Sequence, residues 1–518
     1  MVSSKGRMWI GFRSRIPGIA LLLIVGLASA ASAFASNTYY VSKSAGSDAN
    51  AGTSKSAPWA HLPGMASWTG SHTPTAGDTF VLMGCDVWVN SDLPVAWNWS
   101  GSSGNPITIG VDKTWYNTTN CPSGWDRPVW NAQGAATGNY MIRFAAVGNT
   151  SYGVLDNIEM KGLYCASPCS SGIWFTSCYE ACSNWTISNN YFHAWNIQYD
   201  NQCATFSSAP GSSGTIYTQN VVDGSDASPA GTCEAIYPAF PSLITNNVIH
   251  DLPNGIVGSC GSGNTCVISG NLLYNATNSN GGNHCNMMEI TGAGTHYIFN
   301  NVLHDASCVG GEALMLGSTG ETSYVFNNLI YNISNFQAPN FPQTGTQAAV
   351  GLYFWNNTIV TGGVGPCFYY SGQTGGTLGT LVIQNNHCIT TAASTVGSLT
   401  GITISSQTIT PNTLMTPTTA TSQGYTSSET YVYSPTAGTN STVGAGTQIC
   451  GVAKTCTGNF AALASDTSYS CTQQTVNGVV QAVCPARTVV PRQKSAGAYE
   501  YASGSAPTAP TGLTAVVH

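Results

Sequence analysis

Two short stretches of the sequence carry the side chains best suited to acid–base chemistry. The first, GGNHCNMMEITG, contains His284, Asn286 and Glu289, and the second, GGEALMLG, contains Glu312. Two carboxyl groups held about 5–10 Å apart can serve as an acid and as a base or nucleophile in glycoside hydrolysis. The turn CEAIY places a further acid, Glu234, earlier in the chain. The candidate catalytic residues are therefore Glu289, Glu312 and His284, and the candidate substrate-binding residues in these stretches are Asn286 and Glu234.

Two other interpretations of these acids are open. Their carboxylate oxygens could instead hold Ca²⁺, which takes six to eight oxygen ligands. Glu289 and Glu312 could also face solvent without a chemical role, because a shift of one residue in strand register reverses the face. The stretch DANAG at 48–52 resembles half of a Ca²⁺ loop, but a turn built on the Asp side chain explains it equally well. Ca²⁺ is thus an open cofactor, and no metal ligand is assigned.

A repeated pair of residues indicates which elements position these side chains. The pair is Asn-Asn, with Gln219 or Gly270 in the first slot of two copies, and it recurs every 24 to 30 residues. A period of this length indicates stacked supersecondary units rather than one globular core. The second residues of the pairs are Asn190, Asn220, Asn247, Asn271, Asn301, Asn328, Asn357 and Asn386.

Each repeat reads as a strand, an Asn turn and a second strand, as in HYIFNNVLHD and SYVFNNLIYN. An Asn at the bend tolerates a left-handed backbone, and its amide can donate to one neighbouring coil while accepting from the other. The repeats lack the Leu-x-x-Leu-x-Leu pattern of a leucine-rich repeat, so they predict a parallel β-helix with an internal Asn ladder. The residues predicted to point inward are Phe192, Val222, Ile249, Leu273, Leu303, Ile330 and Ile359.

A second column follows the ladder residues by three positions. Its members are His and Tyr residues, and Asp251 and Asp305 directly follow His250 and His304. Such a stack could bind a sugar chain, which makes His250 and His304 candidate substrate-binding residues. Alternatively, the rings cover the sheet and their polar tips reach water. The members of this column are His193, His250, Tyr274, His304 and Tyr331.

The first 35 residues have the pattern of a secretory signal. Four basic residues between positions 5 and 15 precede the apolar run IALLLIVGLASAASAFA, which ends on small residues that fit cleavage after Ala35. The strongly apolar part is shorter than the ~20 residues of a spanning helix. We expect a secreted, extracellular or cell-surface chain without a membrane span after cleavage. A periplasmic location and a membrane anchor are the alternatives.

The cysteines fit an oxidising compartment. All 18 follow the predicted signal, an even number in an exported chain, which favours disulfides over thiol chemistry or metal sites. Pairs close in sequence are preferred because short loops close easily. These pairs are Cys165/Cys169, Cys178/Cys182, Cys260/Cys266 and Cys450/Cys456.

The charge of the chain excludes a nucleic-acid partner. Cleavage removes four of the 14 Lys and Arg residues and none of the 21 acids, so the mature charge is 10 − 21 = −11. Residues 162–453 contain no Lys or Arg, whereas phosphate binding depends on clustered basic side chains. With only 7% charged residues and 58 Gly, the composition is that of an all-β chain rather than a helical one.

The start of the mature chain resembles a known superfamily. TYYVSKSAGSDANAGTSKSAPWAHL, followed by AGDTFVLMG, is similar to the N-terminal cap of secreted right-handed β-helix proteins of the pectate-lyase-like superfamily. The closing segment GAYEY resembles the end of many members. The resemblance implies an all-β, right-handed parallel β-helix with an N-terminal cap, in line with the strong bias of parallel crossovers. This fold carries lyases, hydrolases, epimerases and non-enzymatic surface proteins.

On this basis the chain divides into five parts. They are a signal peptide (1–35), a Trp-rich cap with the first coils (36–155), central coils (156–400), Ser/Thr-rich last turns with a closing segment (401–505) and a Pro-rich tail (506–518).

The resemblance leaves several activities open. Polyuronate lyases of this superfamily resemble one another in using Lys or Arg beside Ca²⁺, and GGEALMLG resembles a segment of alginate- and chondroitin-cleaving members. The central coils lack those basic residues, so a monomeric hydrolase acting on a neutral polysaccharide through Glu289 and Glu312 fits better. The alternatives are a non-catalytic adhesive solenoid and a lyase that uses Ca²⁺ and His284.

Overall fold

The structure is a computed structural model. The residues it describes are 37–134, 140–144, 149–165, 173–178, 182–197, 203–208, 213–228, 231–237, 239–277, 285–306, 312–333, 340–341, 347–362, 366–370, 375–391, 397–398, 401–485 and 487–501. The predicted signal, at residues 1–35, lies outside them. Within these ranges no helix is both long enough and apolar enough to cross a membrane.

Three long parallel sheets make up most of the described structure, and successive coils add their strands to these sheets in turn. Sheet A contains Thr38–Val41, Thr79–Gly84, Ile107–Tyr116, Thr150–Asp156, Cys182–Ser188, Ile216–Thr218, Leu243–Thr245, Thr265–Ser269, Gly294–Phe299, Glu321–Phe326, Ala348–Trp355, Gly376–Gln384 and Ile402–Thr408. Sheet B contains Val95–Trp97, Tyr140–Phe144, Ile173–Cys178, Cys203–Ser208, Glu234–Ile236, Asn254–Gly258, Asn286–Ile290, Glu312–Met315, Asn340–Phe341, Phe368–Tyr370 and Gly397–Ser398.

Sheet C follows the Asn pairs along the chain. Its strands are Val87–Val89, Val129–Asn131, Glu159–Lys161, Tyr191–His193, Val221–Asp223, Val248–His250, Leu272–Ala276, Val302–Ala306, Leu329–Ile333, Thr358–Thr361, His387–Ile389 and Thr413–Met415. The smaller elements are a parallel pair (Tyr164–Cys165, Asn196–Ile197), a hairpin (Thr472–Val476, Val479–Val483), an α-helix (Pro417–Ser422) and two 3₁₀ turns (Asn90–Asp92, Gly458–Ala464). The stacked sheets confirm the predicted parallel β-helix.

The interior of the coils is the predicted apolar column. All seven predicted residues, from Phe192 to Ile359, are at most 2% exposed. At roughly 25 cal/mol per Å² of buried apolar surface, such a column is the main favourable contribution to the fold. The cap is apolar in the same way, because Trp88, Trp97 and Trp130 are fully buried and Trp59 stacks on Tyr39 at 4.7 Å.

The two residues of each Asn pair have different roles. The first residue makes the turn with a left-handed backbone, which Asn and Gly adopt most readily. That requirement explains why Gly270, with φ of 67°, can replace Asn there. The expectation that a single Asn has both roles is wrong, because the structure divides them between the two residues of the pair. The first-slot residues Asn189, Asn246, Asn300, Asn327, Asn356 and Asn385 all have φ between 55° and 58°.

The second residue of each pair builds the ladder. Asn301 Nδ2 donates to Asn328 Oδ1 at 3.0 Å and to the Ile268 carbonyl at 2.9 Å, and Asn301 Oδ1 accepts from Asn271 Nδ2 at 3.0 Å. The same exchange connects all eight predicted positions. It also reaches one more, Asn412, because Asn386 Nδ2 donates to Asn412 Oδ1 at 3.0 Å. The sequence pattern missed Asn412 because Pro411 stands in the first slot.

Of the seven disulfides that join two described cysteines, three are predicted close pairs. Cys178–Cys182, Cys260–Cys266 and Cys450–Cys456 are bonded, and no cysteine of the described residues is free. The fourth close pair, Cys165/Cys169, falls partly outside the described residues. Longer links, which the sequence did not specify, are Cys85–Cys121, Cys203–Cys233, Cys367–Cys388 and Cys471–Cys484.

The C-terminal segment folds back along the helix. We call residues 447–501 the strap; residue 486 is outside the description. Its backbone is held by side chains of first-slot Asn residues. Asn385 donates to the Thr447 carbonyl at 2.7 Å, and Asn327 donates to the Ala462 carbonyl at 2.8 Å. The strap thus uses side chains that the ladder leaves available on the outside of the turns.

The strap covers the outer faces of two sheets. Cys471 and Tyr499 pack with the sheet C residues Val221, Val248 and Leu272. On sheet A, Ile449, Phe460 and Leu463 pack with Phe326 and Trp355. Within the described residues, neither apolar cluster includes a strand of sheet B.

Candidate functional site

Four polar residues occupy one position on four consecutive strands of sheet B. Glu234 pairs with Asn254, and Asn286 pairs with Glu312. The pairing of Ile256 with Met288 places Asn254 and Asn286 in register between these two pairs. We call Glu234, Asn254, Asn286 and Glu312 the acid–amide column.

The acid–amide column lies outside the helix interior. A Cβ at Gly255 would lie 2.7 Å from Leu273 Cδ2, so position 255 points at the interior column. Because successive strand residues point to opposite faces, Asn254 points outward. Its four members are nevertheless at most 9% exposed.

Hydrogen bonds run the length of the column. Asn254 Nδ2 lies 3.4 Å from Glu234 Oε1, and Asn254 Oδ1 accepts from the Asn286 backbone N–H at 2.9 Å. The Glu312 backbone N–H donates in turn to Asn286 Oδ1 at 3.2 Å. The result is a short amide ladder with a carboxyl residue at each end.

Glu289 lies beside this column. Asn286 Nδ2 donates to Glu289 Oε2 at 2.5 Å and lies 3.8 Å from Met315 Sδ. The Glu289 side chain is half-buried. Asn286 therefore contacts both predicted acids, Glu289 through its amide nitrogen and Glu312 through its amide oxygen.

The two predicted acids lie on consecutive strands of sheet B, but they are not directly opposite each other. Glu289 pairs with Met315, whereas Asn286 pairs with Glu312. The resulting offset is three residues, or about 10 Å along the strand at 3.3 Å per residue. Their catalytic roles stay predictions, and His284 lies outside the described residues.

Two members of this site were missed from the sequence. Asn254, in LPNGIV, is not part of an Asn pair, so the repeat pattern does not include it. Tyr237 closes the CEAIY stretch; burial, with the charges of Glu234 and Glu289, raises the pKa of its hydroxyl. Tyr237 is therefore a protonated hydrogen-bond donor near both acids. Polar residues aligned at one strand position on consecutive coils are the signal that could have found Asn254.

The ring column lies on sheet C. Tyr274 stacks between His250 and His304, with centroids 4.6 and 5.4 Å away, and Tyr331 stacks on His304 at 4.8 Å. His193 is separated from His250 by Asp223, which occupies the same position on the intervening strand. The predicted stack is thus continuous only from His250 onward.

His250 is enclosed by the protein. Its Nδ1 lies 2.5 Å from Asp251 Oδ2, its Nε2 lies 2.6 Å from Gln473 Oε1 of the strap, and it is 5% exposed. Burial opposes its positive charge, but Asp251 and Asp223 outweigh burial and raise the pKa of His250. His304 is partly exposed, with Nδ1 2.7 Å from Asp305 Oδ2. The sugar-binding roles of both histidines stay predictions.

One cluster in the described part of the chain has a geometry that could hold a metal ion. Ligand atoms of Asp223, His250 and Asp251 lie within 4.8 Å of one another. These atoms already bond to each other and to Ser225 and Gln473. A metal-bound His must be neutral, whereas the acids here favour the protonated form. The cluster therefore fits a hydrogen-bonded network better than a metal site.

The DANAG stretch is also explained by hydrogen bonds. Asp48 Oδ1 accepts from the backbone N–H groups of Ala60 and His61 at 3.0 Å. Asp48 Oδ2 lies 2.8 Å from His61 Nδ1 and accepts from the Thr69 backbone N–H at 3.1 Å. Asp48 thus ties its turn to the cap.

Comparisons with known proteins found matches among solved structures. No family model matches the sequence, and no curated protein matches it. Among solved structures, a GH136 lacto-N-biosidase from Eubacterium ramulus aligns over 73% of this chain and 68% of its own, at 14% identity and a TM-score of 0.45. Pectate lyase Pel9A aligns over 80% and 93%, at 14% identity and a TM-score of 0.38. A mannuronic acid specific polysaccharide family 6 lyase from human gut microbiota aligns over 71% and 91%, at 12% identity and a TM-score of 0.35.

Proposed function

We propose that this protein is a secreted hydrolase of neutral polysaccharides, with Glu289 and Glu312 as its two catalytic carboxyl residues. The observation that carries the proposal is the acid–amide column with Glu289 beside it, on the sheet that takes no part in the strap clusters. Secretion is supported by the disulfides, which form and persist in oxidising compartments.

The charge distribution supports a neutral substrate. Residues 162–453 carry no Lys or Arg, whereas Glu234, Glu289 and Glu312 all lie on sheet B. An acidic polymer would place its carboxylates against these acids without a protein cation to balance them. A neutral sugar chain carries no such cost.

The two acids differ in their surroundings, which supports distinct roles. Glu312 is 6% exposed and Glu289 is half-buried, and we assign Glu312 as the general acid that protonates the leaving glycosidic oxygen. Glu289 is the base that takes a proton from water as the water oxygen attacks the anomeric carbon. Asn286 holds Glu289 in place, and Tyr237 offers a hydroxyl donor to the sugar.

The offset of the two acids favours inversion at the anomeric carbon. Inverting enzymes keep their carboxyl groups about 6.5–9.5 Å apart to admit a water molecule, against about 5–5.5 Å in retaining enzymes. We assign the wider spacing to this pair, because the backbone positions of Glu289 and Glu312 are offset by three residues on adjacent strands. NMR of the first product formed should therefore show the inverted anomer, and a retained anomer would contradict this part of the proposal.

A second candidate function is polysaccharide binding without catalysis. The observation in its favour is that Asn254 and Asn286 hydrogen-bond along the column much as the internal ladder does. In that case Glu289 and Glu312 would tolerate substitution. The lyase alternative with Ca²⁺ and His284 would instead give unsaturated products that absorb in the near ultraviolet.

The test is release of reducing ends from a panel of neutral and acidic polysaccharides. Glu289→Gln and Glu312→Gln should each lower the rate by about 10²–10⁴-fold, the usual range for general acid–base catalysis. Glu429→Gln is the matched control, because Glu429 lies beyond the last coil. Full activity in the double variant, or products that absorb in the near ultraviolet, would overturn the hydrolytic assignment. Inactivity on every polysaccharide, with binding retained, would favour the second candidate.

A further inference from the structure

A cleft lies at the other end of the helix, between the loop after the third sheet A strand and the hairpin of the strap. Its volume is about 510 Å³, within the range of small-molecule sites. One wall is formed by the loop and the other by the hairpin tip, an Asn-Gly turn that exposes Val476. The polar and aromatic lining residues are Lys113, Ser123, Trp125, Asn477 and Gln481.

The two walls of this cleft are fixed by cross-links. Cys85–Cys121 braces the loop, and Cys471–Cys484 closes the base of the hairpin. The buried Arg127 guanidinium donates both to the Val480 carbonyl of the hairpin and to the Asn189 carbonyl of the helix. Such bracing lowers the cost of ordering a site when a ligand binds.

Trp125 is seated by a glycine. A Cβ at Gly84 would lie 2.5 Å from the Trp125 ring, so only glycine leaves room for the indole there. The indole in turn positions Lys113, whose Nζ lies 5.1 Å from the ring centroid. An aromatic ring and an ammonium group are thus held together at the mouth of the cleft.

The charge of Lys113 is available to a ligand. Lys43, Lys55 and Lys161 each pair with an acid at 2.6 Å, whereas the exposed Lys113 forms no ion pair within the described residues. The described lining also includes no Asp or Glu. Its polar groups are one ammonium, two primary amides and one hydroxyl, which suit a hydroxyl-rich ring that bears a negative charge.

We propose that this cleft binds a sugar unit that carries a carboxylate or sulfate group. The anionic group pairs with Lys113, the ring packs against Trp125, and Asn477 and Gln481 hydrogen-bond its hydroxyls. The cleft lies six coils from Glu312, or about 29 Å at 4.8 Å per coil. It is therefore a binding site separate from the proposed hydrolytic site. It selects an anionic sugar, whereas the hydrolytic site takes a neutral one.

The test is isothermal titration calorimetry of the full chain with three probes: a galacturonic acid trimer, a sulfated disaccharide and the neutral trimer maltotriose. At least one anionic probe should bind at least about tenfold more tightly than maltotriose. Lys113→Ala should weaken that binding at least about tenfold, and Trp125→Ala should weaken it as well. Binding of only the carboxylated or only the sulfated probe identifies which anionic group the cleft accepts.

Two controls separate this proposal from others. Lys494→Ala removes an exposed lysine outside the lining, and it should leave binding unchanged. The Glu289→Gln/Glu312→Gln double variant should also bind normally, so failure of the hydrolytic proposal would not affect this one. Equal binding of maltotriose, no binding of either anionic probe, or unchanged binding by a folded Lys113→Ala variant would overturn the proposal.

Discussion

Two hydrogen-bonded columns of amide side chains run along this helix, and they differ in what ends them. The internal ladder repeats one residue type, from Asn190 to Asn412, with every amide bonded to the next coil. The acid–amide column has only two amides, Asn254 and Asn286, and a glutamate on each side of them.

The difference follows from the chemistry of the side chains. A primary amide donates and accepts, so it can pass a ladder from coil to coil without limit. A glutamate side chain has no N–H group, so it does not repeat the amide exchange and the ladder stops at it. Uniform repetition on the inside therefore builds the fold, and interruption on the outside places acids at defined positions.

The largest expected effect is on the internal ladder. Asn301→Ala removes four hydrogen bonds from a fully buried position. We expect a loss of about 3–5 kcal/mol, at about 1 kcal/mol per bond plus the cost of buried groups left without partners. Urea unfolding of secreted protein measures it, and a loss below about 1 kcal/mol would contradict the structural role of the ladder.

A smaller effect on stability is expected at the ring column of sheet C, which belongs to neither of the two amide columns. The folded pKa of His250 is raised above about 6.5, its usual unfolded value. Protonated His250 therefore stabilises the fold below that pH, and this contribution is lost as the pH rises through the folded pKa.

The variant His250→Gln isolates this contribution. Its destabilisation relative to the natural protein should be larger at about pH 5.5 than at about pH 8.5. The stability of the variant is compared with that of the natural protein at each pH. This comparison removes the pH dependence of His193, whose pKa is raised in both proteins. An equal difference at both pH values would show that the charge of His250 does not hold the strap.

The smallest effect is expected at the turn residues beside the ladder. Asn246 is exposed and has φ of 58°. Asn246→Ala should cost about 1 kcal/mol, because a Cβ disfavours the left-handed region, whereas Asn246→Gly should change stability by less than about 0.5 kcal/mol. Unfolding midpoints of the two variants compare these costs directly. Equal losses would mean that the side chain, rather than the turn geometry, is what the first slot requires.

The features of the fold that could be predicted from the sequence are those that repeat from coil to coil. The ladder and the interior column recur together every 24 to 30 residues, so a single pattern located eight ladder positions and seven interior positions. Asn412 was not predicted because Pro411 breaks the Asn pair, although the Asn412 side chain continues the ladder by accepting from Asn386 Nδ2. The separate roles of the two residues in each Asn pair could be seen only in the structure, because the sequence alone does not give the backbone angle φ.

The candidate site was only partly accessible from the sequence. Glu289 and Glu312 stood out as acids on consecutive coils, but their three-residue offset depends on strand register, which local sequence does not determine. The strap was unpredictable for a different reason. Its contacts, such as His250 with Gln473, join residues 223 positions apart that no repeat connects.

The most direct test of this account compares one substitution in each column. Asn286→Ala removes bonds to Glu289 and Glu312, but the Glu312 backbone N–H keeps the Cys285 carbonyl at 2.8 Å. Measured together, reducing-end release and the unfolding midpoint should separate Asn286→Ala from Asn301→Ala. We expect Asn286→Ala to lower the rate at least about tenfold and to lower the free energy of unfolding by only about 1–2 kcal/mol. Asn301→Ala should instead lower the free energy of unfolding by about 3–5 kcal/mol. An Asn286→Ala variant with normal activity, or one destabilised as much as Asn301→Ala, would contradict the claim that the outer column serves the site and the inner ladder serves the fold.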